Sequence, residues 1–296
     1  MTDPHLPAVI SERRQLINLA YRLLGSLAEA EDVVQETYAR WYALSDRQRR
    51  EVQAPGAWLT TVASRICLDL LGSARARREK YVGEWIPEPV PGRSEWLDGL
   101  GSVDPADRVT LDESISMAFL VVLESMTPAE RVAFVLHDVF RYSFAEVAEI
   151  VGRTPGACRQ LASSARRRID TSRAPSSTER AEVVRDFKRA WETGDIEALI
   201  GLLDPAAIAT ADSGGLAPAF LDPIAGGERI ARTWLEIATY APAVTLVERT
   251  VNGQPGLIAQ LGDTIVTVYA FDIADGRITR IWAIRNPEKL QLWTAG

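Results

Sequence analysis

Five side chains between residues 159 and 167 carry the donors that nucleic-acid recognition uses: Arg159, Gln160, Ser163, Arg166 and Arg167. Guanidinium groups neutralise phosphates, while Arg, Gln and Ser can read base edges in a major groove. A second group, Glu31, Asp32, Gln35 and Glu36, falls on one face if residues 28–44 are helical. Asp32 and Glu36 are like charges four apart, which costs an isolated helix about 0.2–0.5 kcal/mol. Acids favour a helix N-terminus, which accounts for Glu29 and Glu31 better than for Glu36. A cationic partner surface accounts for all four.

The elements that must position these groups follow from periodicity. In SFAEVAEIVGRTPGACRQLASSARRRI, residues 143–169, Phe144, Val147, Ala148 and Val151 recur at helical spacing. Gly152 breaks the run, and Thr154-Pro155 restarts it with an N-cap and a proline at the first helical position. Cys158, Leu161, Ala162, Ala165 and Ile169 form the apolar arc of the second helix, and the five donors form the opposite arc. Two short helices joined by a glycine turn describe a helix-turn-helix. An amphipathic hairpin with a solvated basic face would show the same pattern, so the rest of the chain has to decide.

The net charge of −7 is spread unevenly. Residues 179–296 have a balance of −5 and residues 1–178 a balance of −2, yet 153–173 holds six arginines against one acid, Asp170. Local field, not overall charge, attracts phosphate. The 47% hydrophobic fraction is that of an ordinary globular protein, and 296 residues allow two domains or three small ones. No apolar run approaches the roughly 18 residues of a membrane span, and the N-terminus lacks the basic start and apolar middle of a signal peptide. Cys67 and Cys158 lie among apolar residues and read as buried thiols, neither a disulfide nor a metal site. A cytoplasmic location is expected.

Along the chain, residues 11–24 predict a helix capped by Ser11, with Leu16, Leu19, Ala20, Leu23 and Leu24 buried. Helix 28–44 buries Val33, Val34, Thr37, Tyr38 and Trp41. After a polar stretch with Arg47, Arg49 and Arg50, a helix runs from Ala57 through Trp58, Leu59, Val62, Ala63, Ile66, Leu70 and Leu71 to a basic end at Arg75, Arg77, Arg78 and Lys80. That end suits its own helix dipole, or could hold single-stranded nucleic acid by charge and stacking. Residues 83–110 are rich in Pro and Gly and read as a linker, but Trp85-Ile86-Pro87-Glu88-Pro89-Val90 is too apolar for a spacer and should dock on something. Helices return at 111–125 and, after Thr127-Pro128, at 129–140; a second linker covers 171–178.

From Glu179 the pattern is α+β. Val183, Val184, Phe187 and Trp191 share one helix face, Ile196, Leu199, Ile200 and Leu203 a second, and a third helix fits 227–240. Three β-rich runs follow, with turns at Gly262-Asp263 and Asp275-Gly276. Helices followed by a curved antiparallel meander describe a cone with a pocket.

EAEDVVQETYARWYAL at 29–44, AWLTTVASRICLDLL at 57–71 and the helix-turn-helix at 143–169 closely resemble the two helical domains of the extracytoplasmic-function (ECF) sigma factors of bacterial RNA polymerase. The C-terminal half resembles a SnoaL-like domain of the nuclear-transport-factor-like fold, and one ECF subgroup carries that fusion. Its Trp-Leu-Pro-Glu-Pro linker motif has its counterpart in Trp85–Val90. Its Asn-Pro-x-Lys-Leu motif is intact as Asn286, Pro287, Glu288, Lys289 and Leu290. Its Asp-Gly-Gly-Gly-basic loop is partly kept as Asp212-Ser213-Gly214-Gly215-Leu216. The resemblance implies a multidomain chain: a first all-α sigma domain (1–82), a Pro/Gly-rich linker (83–110), a second all-α domain with the helix-turn-helix (111–170), a short linker (171–178) and an α+β SnoaL-like cone (179–296).

The resemblance also implies roles. Glu31, Asp32, Gln35 and Glu36 would dock on the clamp of core RNA polymerase, whose contact surfaces are the clamp of the largest subunit and the flap of the second. Arg47, Arg49, Trp58, Thr61 and Arg65 would open the minus-ten element of promoter DNA and hold a flipped base. Arg159, Gln160, Ser163, Arg166 and Arg167 would read the minus-thirty-five element. Trp85, Pro87, Pro89, Asp212, Gly214, Gly215, Asn286, Pro287, Lys289 and Leu290 would form a regulatory contact in cis. No cofactor, metal or membrane partner is implied. A small-molecule ligand of the cone remains open, as does a polyketide-cyclase-like reaction; for the latter, with His5 and His137 lying elsewhere, Asp204, Asp212, Asp222, Asp263 and Asp272 are the titratable candidates.

Overall fold

A computed structural model describes residues 12–78, 81–92, 115–169, 176–241 and 243–294, without the side chains of 74–78 and 294. The chain divides into two compact units. The first takes residues 1–79, 109–111 and 122–170, and the second takes 80–108, 112–121 and 171–296. Tyr81 and Val82, which the sequence groups with the first helices, therefore belong with the α+β domain.

The helical unit is built around α1 (Arg13–Leu24), in which every residue from Leu16 to Leu24 is buried. A helix covered on all sides is a core helix, which is more than the one-sided stripe of the sequence reading. Its end is set by Gly25, at φ 72°, whose N–H donates to the Tyr21 carbonyl at 2.8 Å. The expected cap Ser11 lies outside the described residues. Ser26 caps α2 (Leu27–Ala43), which buries Val33, Val34, Thr37 and Trp41 as expected. The polar stretch before Pro55 holds a short helix the sequence did not suggest, α3 (Asp46–Glu51), closed by a Ser45–Gln48 capping box. Next comes α4 (Pro55–Arg78).

Helix α5 (Met117–Glu124) follows, and α6 (Pro128–Phe134) starts at a Thr127–Glu130 capping box before a π-turn at Val135–Val139. The helix-turn-helix is α7 (Phe144–Val151) and α8 (Pro155–Arg166). Gly152, at φ 69°, makes the turn, and Thr154 caps the second helix. Cys158, Ala162 and Ala165 are buried; Ile169 lies beyond the helix end. Cys67 and Cys158 are buried free thiols.

In the second unit, α9 (Ser177–Thr193) and α10 (Ile196–Leu202) precede a six-stranded sheet. Its strands are β1 (Leu203–Asp212), β2 (Ile224–Ala225), β3 (Val244–Val251), β4 (Gln254–Leu261), β5 (Thr264–Ala274) and β6 (Arg277–Ile284), in the order β2-β1-β6-β5-β4-β3. Only β1 and β6 pair in parallel. Helix α11 (Gly227–Tyr240) lies between β2 and β3 in the chain. Leu203, expected on a helix face, opens β1, and Ile200 is exposed.

Both faces of this sheet are covered, and the two-residue period of a strand sorts the side chains. Tyr269 and Phe271 join Phe187, Trp191, Ile230 and Trp234 beneath the helices. Val268 and Ala270 face the other way, with Trp282 and Ile284, and are covered by Ile86, Met117, Leu290 and Trp293. Among the described residues, no helix is long and apolar enough to cross a membrane, and no cluster of His, Cys, Asp or Glu is placed to hold a metal.

Candidate nucleic-acid interface and linker site

On α2, Asp32, Gln35 and Glu36 are exposed and Glu31 is half-buried. Glu36 has a local partner as well, because Arg40 Nε donates to it at 2.8 Å one turn on. Helix-internal pairing thus relieves part of the charge that helix electrostatics alone did not account for. On α3, Arg47 pairs with Glu51 at 3.0 Å and Arg49 with Asp46 at 2.5 Å. Trp58 is half-buried, with its ring 5.2 Å from that of Trp41 in an edge contact. Thr61 is half-buried too, and Arg65 is exposed.

Within the helical unit, α4 reaches the helix-turn-helix. Arg65 Nη2 donates to the Glu149 carbonyl of α7 at 2.9 Å. Deeper in, Arg131 of α6, 2% exposed, donates to the Leu23 carbonyl at 2.7 Å and to Glu124 at 2.6 Å. Burial pushes the Arg131 guanidinium down to about 10. Sequence reasoning missed this residue, because an arginine in a helix reads by default as solvated.

On α8, Arg159, Gln160, Arg166 and Arg167 are exposed and Ser163 is half-buried. They share a helix, but Arg166 is occupied. Its Nε and Nη2 hold the two oxygens of Asp138 at 2.6 and 3.1 Å. The Arg159 guanidinium lies 5.4 Å from the centre of the Phe144 ring.

In the second unit the motif residues at 81–92, 212–215 and 286–290 converge on one buried ion pair. Asp212, 0% exposed at the end of β1, accepts from Lys289 Nζ at 2.6 Å, from the Ile86 N–H at 2.8 Å and from the Tyr81 hydroxyl at 2.6 Å. Lys289 also donates to the Ile86 carbonyl, and its Nζ stands 4.1 Å from the Trp85 ring centre and 5.2 Å from that of Tyr81. Asn286 Nδ2 donates to the Tyr81 hydroxyl at 2.7 Å. Burial, then the Asp212 bond, pushes the Tyr81 hydroxyl up, so it remains a donor.

Pro87, Pro89 and Leu290 are buried, while Pro287 is exposed and opens a short 3-10 turn. Gly214 and Gly215 have φ 58° and 75°. A Cβ on Gly214 would come 2.6 Å from Asn286 Nδ2 and 3.0 Å from the Tyr81 hydroxyl, and one on Gly215 3.1 Å from Val82. Farther along, residues 90–92 bond to the edge of β3. Asn252 N–H donates to the Val90 carbonyl at 2.8 Å and Gly92 N–H to the Thr250 carbonyl at 3.0 Å. Trp293 Nε1 donates to the Pro89 carbonyl at 2.9 Å. The apolar linker does dock, and its support is the α+β domain.

That domain also holds a cavity of about 680 Å³ between the helices and the sheet, lined by Trp191, Phe220, Trp234, Tyr269 and Arg285 among others. None of the carboxylates singled out from the sequence, Asp204, Asp212, Asp222, Asp263 or Asp272, lines it.

An acidic helix, a helix-turn-helix with a basic face and an α+β domain clasping the linker between helical segments define a DNA-reading transcription protein with a built-in accessory domain. The sigma-70 region 2 family matches residues 9–77, and the sigma-70 region 4 family matches 116–169. The chain is 39% identical to the ECF RNA polymerase sigma factor SigJ of Mycobacterium tuberculosis, covering 94% of this chain and 90% of that one. It is 37% identical to the probable ECF RNA polymerase sigma factor SigI of the same species, covering 97% and 95%. The crystal structure of SigJ superposes with a TM-score of 0.75 at 35% identity, covering 96% of this chain and 98% of that one. The chain belongs to the ECF sigma factors, which direct RNA polymerase to promoters, with two sigma domains and a C-terminal α+β domain.

Proposed function

We propose that this sigma factor is controlled by its own C-terminal domain through the linker. Glu31, Asp32, Gln35 and Glu36 dock on the clamp of the largest polymerase subunit, and the second helical domain meets the flap of the second subunit. Arg47, Arg49, Trp58, Thr61 and Arg65 act at the minus-ten element, and Arg159, Gln160, Ser163, Arg166 and Arg167 at the minus-thirty-five element. The working parts are a first sigma domain, a linker held by the C-terminal domain, a second sigma domain and that C-terminal domain, and they act in the cytoplasm with polymerase and DNA.

Two promoter elements some 25 base pairs apart are separated by ~85 Å of duplex at about 3.4 Å per step. Arg65 bonded to Glu149 belongs to a state in which the minus-ten helix touches the first helix of the helix-turn-helix. Promoter recognition requires them to part, and the path of the linker sets how far they can.

The observation that carries the regulatory reading is the hold of Asp212 and Lys289 on the Ile86 backbone. Run-off transcription with core polymerase, comparing the native chain with Trp85→Ala and Lys289→Met, tests it. A change in output at unchanged core affinity is expected, and identical output removes the regulatory role.

The cavity offers no buried carboxylate, histidine or cysteine as a base among its lining residues. It therefore suits a small-molecule ligand that is bound and not turned over. Incubating the protein with metabolite pools separates the two: saturable binding without new products is expected, and turnover would show an enzyme.

A further inference from the structure

We infer that the C-terminal cavity takes an apolar ligand bearing a carboxylate or similar acceptor anion, held at Arg285. This rests on the reading of that domain as a regulatory binding module and adds the chemistry of what it binds.

The walls set the apolar part. Trp191, Phe220, Trp234 and Tyr269 contribute four aromatic rings to a space of about 680 Å³, within the usual size range for a drug-sized ligand. Trp191 and Tyr269 meet edge-on at 5.5 Å, and Phe220 and Trp234 lie 6.1 Å apart, so the walls are fixed by their own packing.

The polar groups set the other end. Arg285 lines the cavity, and its Nη1 is used on the Pro218 carbonyl, but its buried Nε has no hydrogen-bond partner among the described residues. Trp234, 0% exposed, has an indole N–H in the same condition. Tyr269 is buried, and burial pushes its hydroxyl up to about 12 despite the nearby Arg285 charge, so it stays protonated. Among the described residues Glu192 is the one acid in the lining; it is exposed, with Lys188 4.0 Å away. The cavity thus presents a cation with no buried acid beside it among the described residues. A charge on an apolar wall is unfavourable without a counter-charge, and a ligand anion supplies one.

Occupancy also bears on the clasp. The Arg285 and Asn286 N–H groups both donate to the Asp212 carbonyl, at 2.6 and 3.0 Å, and Ala211 and Ala283 of the paired strands line the cavity.

The test uses the full chain and two probes that differ in one group, 1-pyrenebutyrate and 1-pyrenebutyramide, followed by energy transfer from tryptophan. Wild type should bind the acid about tenfold more tightly than the amide. Arg285→Leu should bring the two affinities together by weakening the acid alone, and Arg285→Lys should keep a preference for the acid. Equal affinities in wild type, no saturable binding of either probe, or an acid preference that survives Arg285→Leu would each overturn the inference. Run-off transcription by the same preparation is scored separately: a chain that initiates but shows no acid preference loses this inference and keeps its place as a sigma factor.

Discussion

Lys289 and Asp212, 77 positions apart in the chain, form an ion pair at 2.6 Å in which the carboxylate is wholly buried. A pair of this kind is costly to assemble and more costly to break, because the survivor is left as an uncompensated charge. Lys289→Met should destabilise the α+β domain by about 3–5 kcal/mol. The double variant Lys289→Met with Asp212→Asn should lose less than the sum of the two single changes. Denaturant unfolding of the four proteins gives that coupling, and simple additivity would show the pair to be energetically idle.

Gly214 tests the same clasp without touching its charges. Gly214→Ala places a methyl group against the Asn286 amide and the Tyr81 hydroxyl on a backbone at φ 58°. The Tyr81–Asp212 and Asn286–Tyr81 bonds should loosen together, and transcription should move in the same direction as in Trp85→Ala. Amide exchange at Ile86, whose N–H is held by Asp212, should speed up. Unaltered exchange there would mean the loop and the linker are independent.

On the recognition helix, the arginines should differ in effect. Arg159→Ala should cost about 1–3 kcal/mol of promoter binding if it reads a base and lower the salt slope by about 1 if it holds a phosphate. Arg166 is tied to Asp138, so Asp138→Asn should free it and tighten DNA binding, most visibly at low salt. Electrophoretic mobility titrations across a range of salt concentrations decide both points.

The start of α7 carries a pH dependence. The side-chain and then the backbone hydrogen bonds of Ser143, both at 2.7 Å, hold the Glu146 carboxyl below its ordinary range. A carboxylate with a depressed folded-state value adds stability that is fully present above about pH 4.3 and is lost as the pH falls through the folded value. Protection of the α7 amides against exchange should fall in that acid window. Glu146→Gln keeps a cap acceptor and should flatten the dependence; an unchanged profile would assign it to another group.

Arg131 holds the helical unit together at the Leu23 carbonyl. Arg131→Met removes that bond and the 2.6 Å ion pair to Glu124, which is 14% exposed. Amide exchange in α1 and α6 should rise together, with lower stability to urea. An effect confined to α6 would show that the bond does not join the two segments.

The helix-turn-helix was legible because the rules agreed there: apolar residues at helical spacing, a glycine at the turn, a threonine-proline start and a clear apolar arc. Strand β1 was not. LDPAAIATAD has two β-branched residues, Ile208 and Thr210, and no aromatic among four alanines, a proline and two aspartates, a weak strand signal; its small Ala207, Ala209 and Ala211 fit the closely packed core beneath the helices. Its parallel partner β6 lies about seventy residues on, which local pattern cannot show. The clasp was visible only as separate motifs. An aspartate and a lysine read by default as solvated, and nothing local tells Asp212 that Lys289 will neutralise it. Asn252 and Arg285 left no signal beyond a turn and a strand end, and their importance comes from what the fold brings to them.

Ile86 closes over a sheet face made of Val268, Ala270, Trp282 and Ile284. Burying one such side chain is worth about 1.5–3 kcal/mol, and lifting the linker would wet both it and the surface beneath. A released form is therefore sticky by construction. It should either snap shut or find another greasy lid, so the moment of activation is also the moment when this molecule most needs company.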